Sequence, residues 1–159
     1  MTNKNRKMTK NKIIAVLSIS LFIITGYLLI SQSTLLTQTF IEENTFPAGT
    51  FIAWTCLLSL QLSVYYGFSK IQTSKSLFYL VLNYLLIITI SLAFFWGVIG
   101  YTLSGNWAFN FNNTDQFMGS QEASFWFWRL IYLLLIIPIL STAVILIHEF
   151  ILKSSKTKR

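Results

Sequence analysis

Four long apolar stretches of this chain contain no charged residue, and this pattern limits the possible folds more than any other feature. A bilayer core about 30 Å thick is crossed by roughly 20 apolar residues of α-helix. Non-helical backbone facing lipid would leave its N–H and C=O groups unpaired. The sequence therefore predicts an all-α membrane protein with four transmembrane helices in one domain, residues 13–152. With interfacial residues added at their ends, the predicted spans are 13–30, 50–68, 77–101 and 125–148.

The charges change sign from one predicted loop to the next. Of the 12 basic residues, all except Arg129 lie before span one, between spans two and three, or after span four. Basic segments stay on the cytoplasmic side of a membrane. We therefore expect the basic N-terminus, 1–12, and the basic tail, 153–159, to be cytoplasmic. The expected location is the bacterial inner membrane.

The net charge of +7 also bears on partners. In a soluble protein it would suggest nucleic acid. Here the positive charge is divided among short segments that flank the membrane, where each Lys or Arg is attracted to anionic headgroups by about 1 kcal/mol. The lipid bilayer is therefore an expected partner, and nucleic acid is not.

The sequence offers little chemistry. Cys56 is the single cysteine and lies in span two, so no intrachain disulfide or thiol pair is possible. His148 is the single histidine, which excludes a bis-histidine haem and the usual nitrogen-rich metal sites. His148 and Glu149 could relay protons, although an interfacial pair at a helix end is the simpler interpretation. We predict no catalytic residue, no cofactor and no metal.

The two outer loops are expected to lie at the membrane surface. In the first, 31–47, the apolar residues Leu35, Leu36, Phe40 and Ile41 are spaced like one face of a short helix. The aromatic residues of the second loop are predicted to form an interfacial belt at headgroup depth. The alternative is a substrate-binding lid. These belt residues include Trp107, Trp126 and Trp128. Span one is expected to be a retained helix rather than a cleaved signal peptide.

Polar residues inside the spans are few. Gln61, Asn83 and Ser141 should face protein, since an unpaired polar group in hydrocarbon costs several kcal/mol. Thr142 is a further polar residue in span four. Pro138 removes the backbone bond to Leu134 and is expected to kink the helix there.

Span three carries a stripe of small residues. Thr89, Ala93 and Gly97 stand at i, i+4 and i+8, which permits close approach of another helix backbone. The partner could be span two or span four of the same chain, or a helix of another protein. The stripe is therefore a candidate for helix packing or partner binding.

Arg129 is the basic residue that the predicted topology places on the outer side. Two interpretations remain open. The guanidinium could pair with a carboxylate, either Asp115, Glu122 or an acidic group of another subunit. Alternatively it snorkels to the interface, where its cost is lower than at a helix centre. Arg129 is the second candidate for partner binding.

Residues 50–146 resemble one segment of the ammonium transporter family. Tyr65-Tyr66-Gly67 is similar to that family's Phe-Tyr-Gly turn. The segment 96–105 resembles its Trp-x-x-x-Gly-Tyr-Ser-Leu-x-Phe-Gly motif, and 137–144 is similar to the helix that follows. The resemblance covers about 60% of this chain and about a quarter of such a transporter. It implies shared ancestry of the fold more than a shared activity.

Departures from the family pattern affect the pore. On this matching, Tyr132 falls where the family has a gating Phe, and Arg129 falls where it has a neutral Gln. A guanidinium there should repel ammonium, and the twin pore histidines lie on helices that this chain does not possess. Tyr132 becomes a candidate for polar lining, together with Gln61, Asn83 and Ser141.

The sequence thus favours a non-enzymatic subunit, scaffold or assembly partner of a larger membrane complex. Its expected partners are other membrane protein subunits or further copies of itself. No nucleophile constellation, intramembrane carboxylate or soluble domain is evident. The alternative is an oligomeric small-solute channel or transporter that resembles the ammonium transporters.

Overall fold

The computed structural model describes residues 3–41, 44–108, 111 and 117–157. In that part of the chain, four helices are long and apolar enough to cross a membrane, which confirms the predicted number. The elements in order are α1 (Asn3–Ile30), a 3₁₀ turn (Thr34–Thr37), β1 (Thr39–Ile41), β2 (Asn44–Pro47), α2 (Ala48–Gly67), α3 (Ser69–Thr73), α4 (Leu77–Ser104) and α5 (Gln121–Thr157).

Local signals explain where the helices begin and end. Pro47 precedes α2, where a missing N–H costs no helical hydrogen bond. Gly105 ends α4 in the left-handed conformation, with φ 77°, and its N–H donates to the carbonyl of Tyr101. At the start of α5 the backbone N–H of Ala123 donates to Ser120 Oγ at 3.1 Å, which satisfies one of the helix's unpaired donors.

The central helix of the bundle is α2, which contacts α1, α4 and α5. Two buried apolar clusters join α2, α4 and α5. The first cluster contains Leu57, Ala93, Trp96, Phe127 and Leu134. The second cluster contains Val64, Ile71, Tyr79, Leu82, Leu86 and Ile145. No described side chain of α1, from Lys10 to Ile30, belongs to either cluster, so this part of α1 lies at the edge of the bundle.

The segment between α1 and α2 differs from the sequence-based expectation. A short helix through Phe40 and Ile41 is wrong, because the structure ends a 3₁₀ turn at Thr37 and then forms the antiparallel β1–β2 hairpin. Leu36 is buried, whereas Leu35 is 45% exposed. The β-branched Thr39, Ile41 and Thr45 favour the paired strands.

The chain just after α4, at Trp107, packs onto the ends of α2 and α4. Thr50 Oγ1 donates to the backbone carbonyl of Trp107 at 2.6 Å. The Trp107 ring stacks on Tyr101, with 4.6 Å between centroids, and also contacts Phe46. Trp107 therefore holds this segment to the bundle, while Trp126 and Trp128 of α5 are exposed.

Candidate functional site

A cross-helix hydrogen bond joins the middle of α2 to the middle of α5. Gln61 is fully buried, and its Nε2 donates to the backbone carbonyl of Leu134. Leu134 is four residues before Pro138, so this carbonyl lacks its usual helical donor. Gln61 therefore supplies the hydrogen bond that the proline removes. The sequence singled out both residues but gave no sign that they meet.

α5 continues through Pro138, where Gln61 supplies a donor to the Leu134 carbonyl that the proline frees. Thr142 Oγ1 donates to the carbonyl of Pro138 at 2.9 Å, four residues back along the same helix. α5 is accordingly one helix from Gln121 to Thr157. We call the contacts among Gln61, Leu134, Pro138 and Thr142 the proline latch.

Trp54 of α2 occupies the small-residue stripe of α4. Its Nε1 donates to the carbonyls of Ala93, at 2.9 Å, and Phe94, at 3.1 Å. A Cβ atom on Gly97 would overlap the Trp54 ring. Thr89 and Ala93 are 1% and 0% exposed. The stripe thus packs within the chain, and the alternative of an exposed face for a foreign helix is wrong.

The four candidates for polar lining do not face one common cavity. Gln61 and Ser141 are buried in the helix core, whereas Tyr132 is 57% exposed on the surface of α5. Tyr132 therefore lies on the surface of the chain, apart from Gln61 and Ser141. Asn83 is half-buried, and its Oδ1 has no hydrogen-bond partner among the described residues.

Arg129 contacts aromatic rings of its own helix. Its guanidinium carbon lies 3.9 Å from the centroid of Phe125 and 5.5 Å from that of Trp126. Within the described residues the one ion pair joins Lys70 and Glu149, so pairing of Arg129 with Glu122 is absent there. The other predicted partner, Asp115, lies outside the described residues. The visible contact is a cation–π interaction.

At the opposite end of the bundle, α3 connects several helices. Lys70 Nζ lies 3.0 Å from Glu149 Oε1 of α5. Hydrogen bonding to Glu149 raises the pKa of Lys70 above its ordinary value. Gln72 Nε2 donates to the carbonyl of Tyr65, and Gln72 Oε1 accepts from Asn11 of α1 at 2.8 Å.

His148 is part of this end and is packed by aromatic rings. It stacks on Phe78, with 4.2 Å between centroids, and its Nδ1 lies 3.4 Å from the Tyr79 hydroxyl. Glu149 is engaged by Lys70 instead. Each half of the His148–Glu149 pair therefore has its own partner. The expected position at a helix end is wrong, because α5 continues beyond the pair to Thr157.

Sequence reasoning missed the seam between α1 and α2. Ala15, Ser18 and Thr25 are the buried residues of α1, and Thr25 lies against Cys56 of α2. Their spacing of i, i+3 and i+10 within an apolar run was the available signal. It is weak, because short residues at such spacing are frequent in membrane helices.

No group of three His, Cys, Asp or Glu residues in the described part of the chain could hold a metal ion. Comparison with family models, curated proteins and solved structures gave no match.

Proposed function

We propose that this chain is a non-enzymatic subunit, scaffold or assembly partner of a larger membrane complex in the bacterial inner membrane, with both termini in the cytoplasm. One observation carries the proposal: Gln61 and His148, two of the polar side chains expected to line a path or do chemistry, make structural contacts within the chain. Gln61 completes the proline latch. His148 is packed by Phe78 and Tyr79.

The charge distribution supports the proposed orientation. Asn11 contacts Gln72, and Lys70 pairs with Glu149, so the start of α1, the α3 connection and the end of α5 lie together. These are the segments that carry the basic residues other than Arg129. A basic end of this kind favours the cytoplasmic side.

The docking contact we propose is the outer part of α5. Arg129 stands there among exposed aromatic residues, and Arg, Trp and Tyr are the residue types most enriched in interface hot spots. These aromatic residues are Phe125, Trp126, Trp128 and Tyr132. A carboxylate on a partner subunit would complement the guanidinium.

Co-purification tests the subunit proposal. A tagged chain is extracted in mild detergent from its own host, and associated proteins are identified by mass spectrometry. We expect a membrane protein in stoichiometric amount, released by Arg129→Gln. Lys75→Gln, which removes a positive charge from the other end of the bundle, should leave it bound. Retention of the partner by Arg129→Gln would exclude this docking contact.

The channel alternative predicts a different result. Gln61 and Ser141 are buried, so a polar path would have to form between copies. Purified protein in liposomes would then conduct methylammonium, and Arg129→Gln would raise the flux by removing a positive barrier. Flux well above that of empty vesicles, with no co-purifying protein, would replace the subunit proposal by the channel.

Labelling of single cysteines tests the orientation. In a Cys56→Ala background, Gln38→Cys and Gln121→Cys should react with an impermeant thiol reagent in intact cells, while Ser155→Cys should not. All three side chains are exposed, so burial does not limit the reaction. Labelling of Ser155→Cys alone would show that the orientation is the reverse of the one proposed.

A further inference from the structure

The buried amide of Gln61 is paired on one side only. Its Nε2 donates to the Leu134 carbonyl, whereas its Oε1 is buried and has no hydrogen-bond partner among the described residues. The amide cannot be turned over, because its oxygen would then face the carbonyl oxygen of Leu134. A buried acceptor without a donor loses its hydration uncompensated. The core therefore requires a donor at Gln61 Oε1.

Ser141 carries a hydroxyl near the same point of α5. It is 3% exposed and follows Leu134 by seven residues, which places both residues on one face of the helix. The Leu134 carbonyl points toward the end of α5, and the Ser141 side chain tilts back toward its start.

Helix geometry gives the size of the gap between these groups. Of the rise of roughly 10.5 Å between Leu134 and Ser141, about 6 Å remains between the carbonyl oxygen and the hydroxyl. Gln61 Oε1 lies at the Leu134 end of this gap, because it belongs to the same amide as Nε2. A distance of about 6 Å is too long for one hydrogen bond and matches two O–H···O bonds in series, each about 2.8 Å.

The surroundings select a small neutral molecule for this gap. The buried polar residues in the described part of the chain carry no charge, so a cation would lose its hydration there without a compensating anion. Gln61 and Ser141 are 0% and 3% exposed, which denies access to a larger solute or a foreign side chain. Water can donate to Gln61 Oε1 and accept from Ser141, and ordered water commonly pairs polar groups near a proline in membrane helices.

We propose that one ordered water molecule bridges Gln61 Oε1 and the Ser141 hydroxyl in the contact between α2 and α5. The water extends the proline latch, so α2 is joined to α5 on both sides of Pro138, at Leu134 and at Ser141. Such a bridge restrains bending of α5 at the proline. It does not depend on the subunit proposal, because it concerns the interior of a single chain.

Water-edited solid-state NMR tests the bridge. The full chain, labelled with ¹³C and ¹⁵N, is reconstituted in liposomes, and magnetisation transfer from water to the Gln61 side chain is measured. Ser141→Ala removes the proposed donor. Ser59→Ala is the matched control, because Ser59 is also 3% exposed and lies on α2 two residues from Gln61, and its Oγ donates to the Cys56 carbonyl of its own helix.

We expect transfer from water to Gln61 in the wild-type chain despite the complete burial of this residue. Ser141→Ala should lower the transfer about fivefold, the factor that corresponds to one net hydrogen bond, and Ser59→Ala should leave it unchanged. No transfer to Gln61 in the wild type, or equal transfer in the wild type and Ser141→Ala, would overturn the bridge. Transfer to Ser59 as strong as that to Gln61 would also overturn it, because water would then enter the bundle generally.

Discussion

The α1–α2 seam and the α2–α4–α5 core join helices in different ways. At the seam, the buried residues of α1 are short: Ala15, Ser18 and Thr25. In the core, large side chains fill the space between helices, and cross-helix hydrogen bonds fix their register, as Gln61 does with Leu134. Association in lipid relies on close packing and hydrogen bonds rather than on the hydrophobic effect. The comparison shows that short side chains predominate at the α1–α2 seam, whereas large side chains and cross-helix hydrogen bonds accompany the small-residue stripe in the core.

The largest expected effect comes from enlarging Gly97 in the core. Gly97→Leu would drive a side chain into the Trp54 ring, and we expect a loss of about 3 kcal/mol in unfolding free energy. Gly26→Leu in α1 is the control, because no atom lies within 4 Å of an added Cβ there. Unfolding in SDS, followed by tryptophan fluorescence, measures both. Similar losses in the two variants would show that the core and the edge respond alike.

A smaller effect is expected at the seam. Ser18→Leu should separate α1 from α2 at a cost of about 2 kcal/mol, since it overpacks a buried position. Ser20→Leu, the same change at an exposed position two residues away, should be nearly neutral. Disulfide crosslinking between cysteines placed on α1 and α2 reports the separation. If Ser18→Leu left crosslinking unchanged, the seam would not be the attachment of α1.

The proline latch gives a sharper test of the core. Gln61→Leu leaves the Leu134 carbonyl without a donor and should cost about 1 kcal/mol. Pro138→Ala supplies a backbone N–H for that carbonyl, so the double variant should recover much of the loss. Asn83→Leu removes an amide that makes no described hydrogen bond and should cost less. Additivity of Gln61→Leu and Pro138→Ala would refute the latch.

The smallest effect is expected at Arg129. Its contact with Phe125 predicts a coupling of about 0.5 to 1 kcal/mol in a double-mutant cycle, the usual value for an exposed cation–π pair. A cycle between Arg129 and Glu122 should give coupling near zero, because the described structure contains no ion pair between them. The reverse pattern would favour carboxylate pairing within the chain and weaken the case for a partner.

The sequence predicted more of the contacts in the α2–α4–α5 core than of those at the α1–α2 seam. Trp54 is an unremarkable aromatic residue in an apolar run, yet it occupies the stripe that contains Ala93 and Gly97. The stripe itself was visible because small residues recur at helical spacing. Its occupant was not, because the choice between a neighbouring helix and a foreign one depends on which helices meet.

The same limit applies to the polar residues. Gln61 and Pro138 were each recognised as unusual in a membrane helix, but their spacing along the chain does not bring them together. Tyr132 lies on the exposed face of α5, away from Gln61 and Ser141, and a resemblance in linear motifs carries no information about which way a helix face turns. The prediction of a short helix between α1 and α2 was wrong, because the same apolar spacing over a few residues also occurs in a turn followed by a strand.

The sequence by itself determined the number of long apolar helices. Transfer of a helix into hydrocarbon depends on the composition of about 20 consecutive residues, which is a local property. Tertiary structure alone decided that α2 is central, that Trp54 fills the stripe, and that Gln61 completes the proline latch. These contacts depend on the rotation and register of each helix against its neighbours, and such relations arise only when distant segments pack.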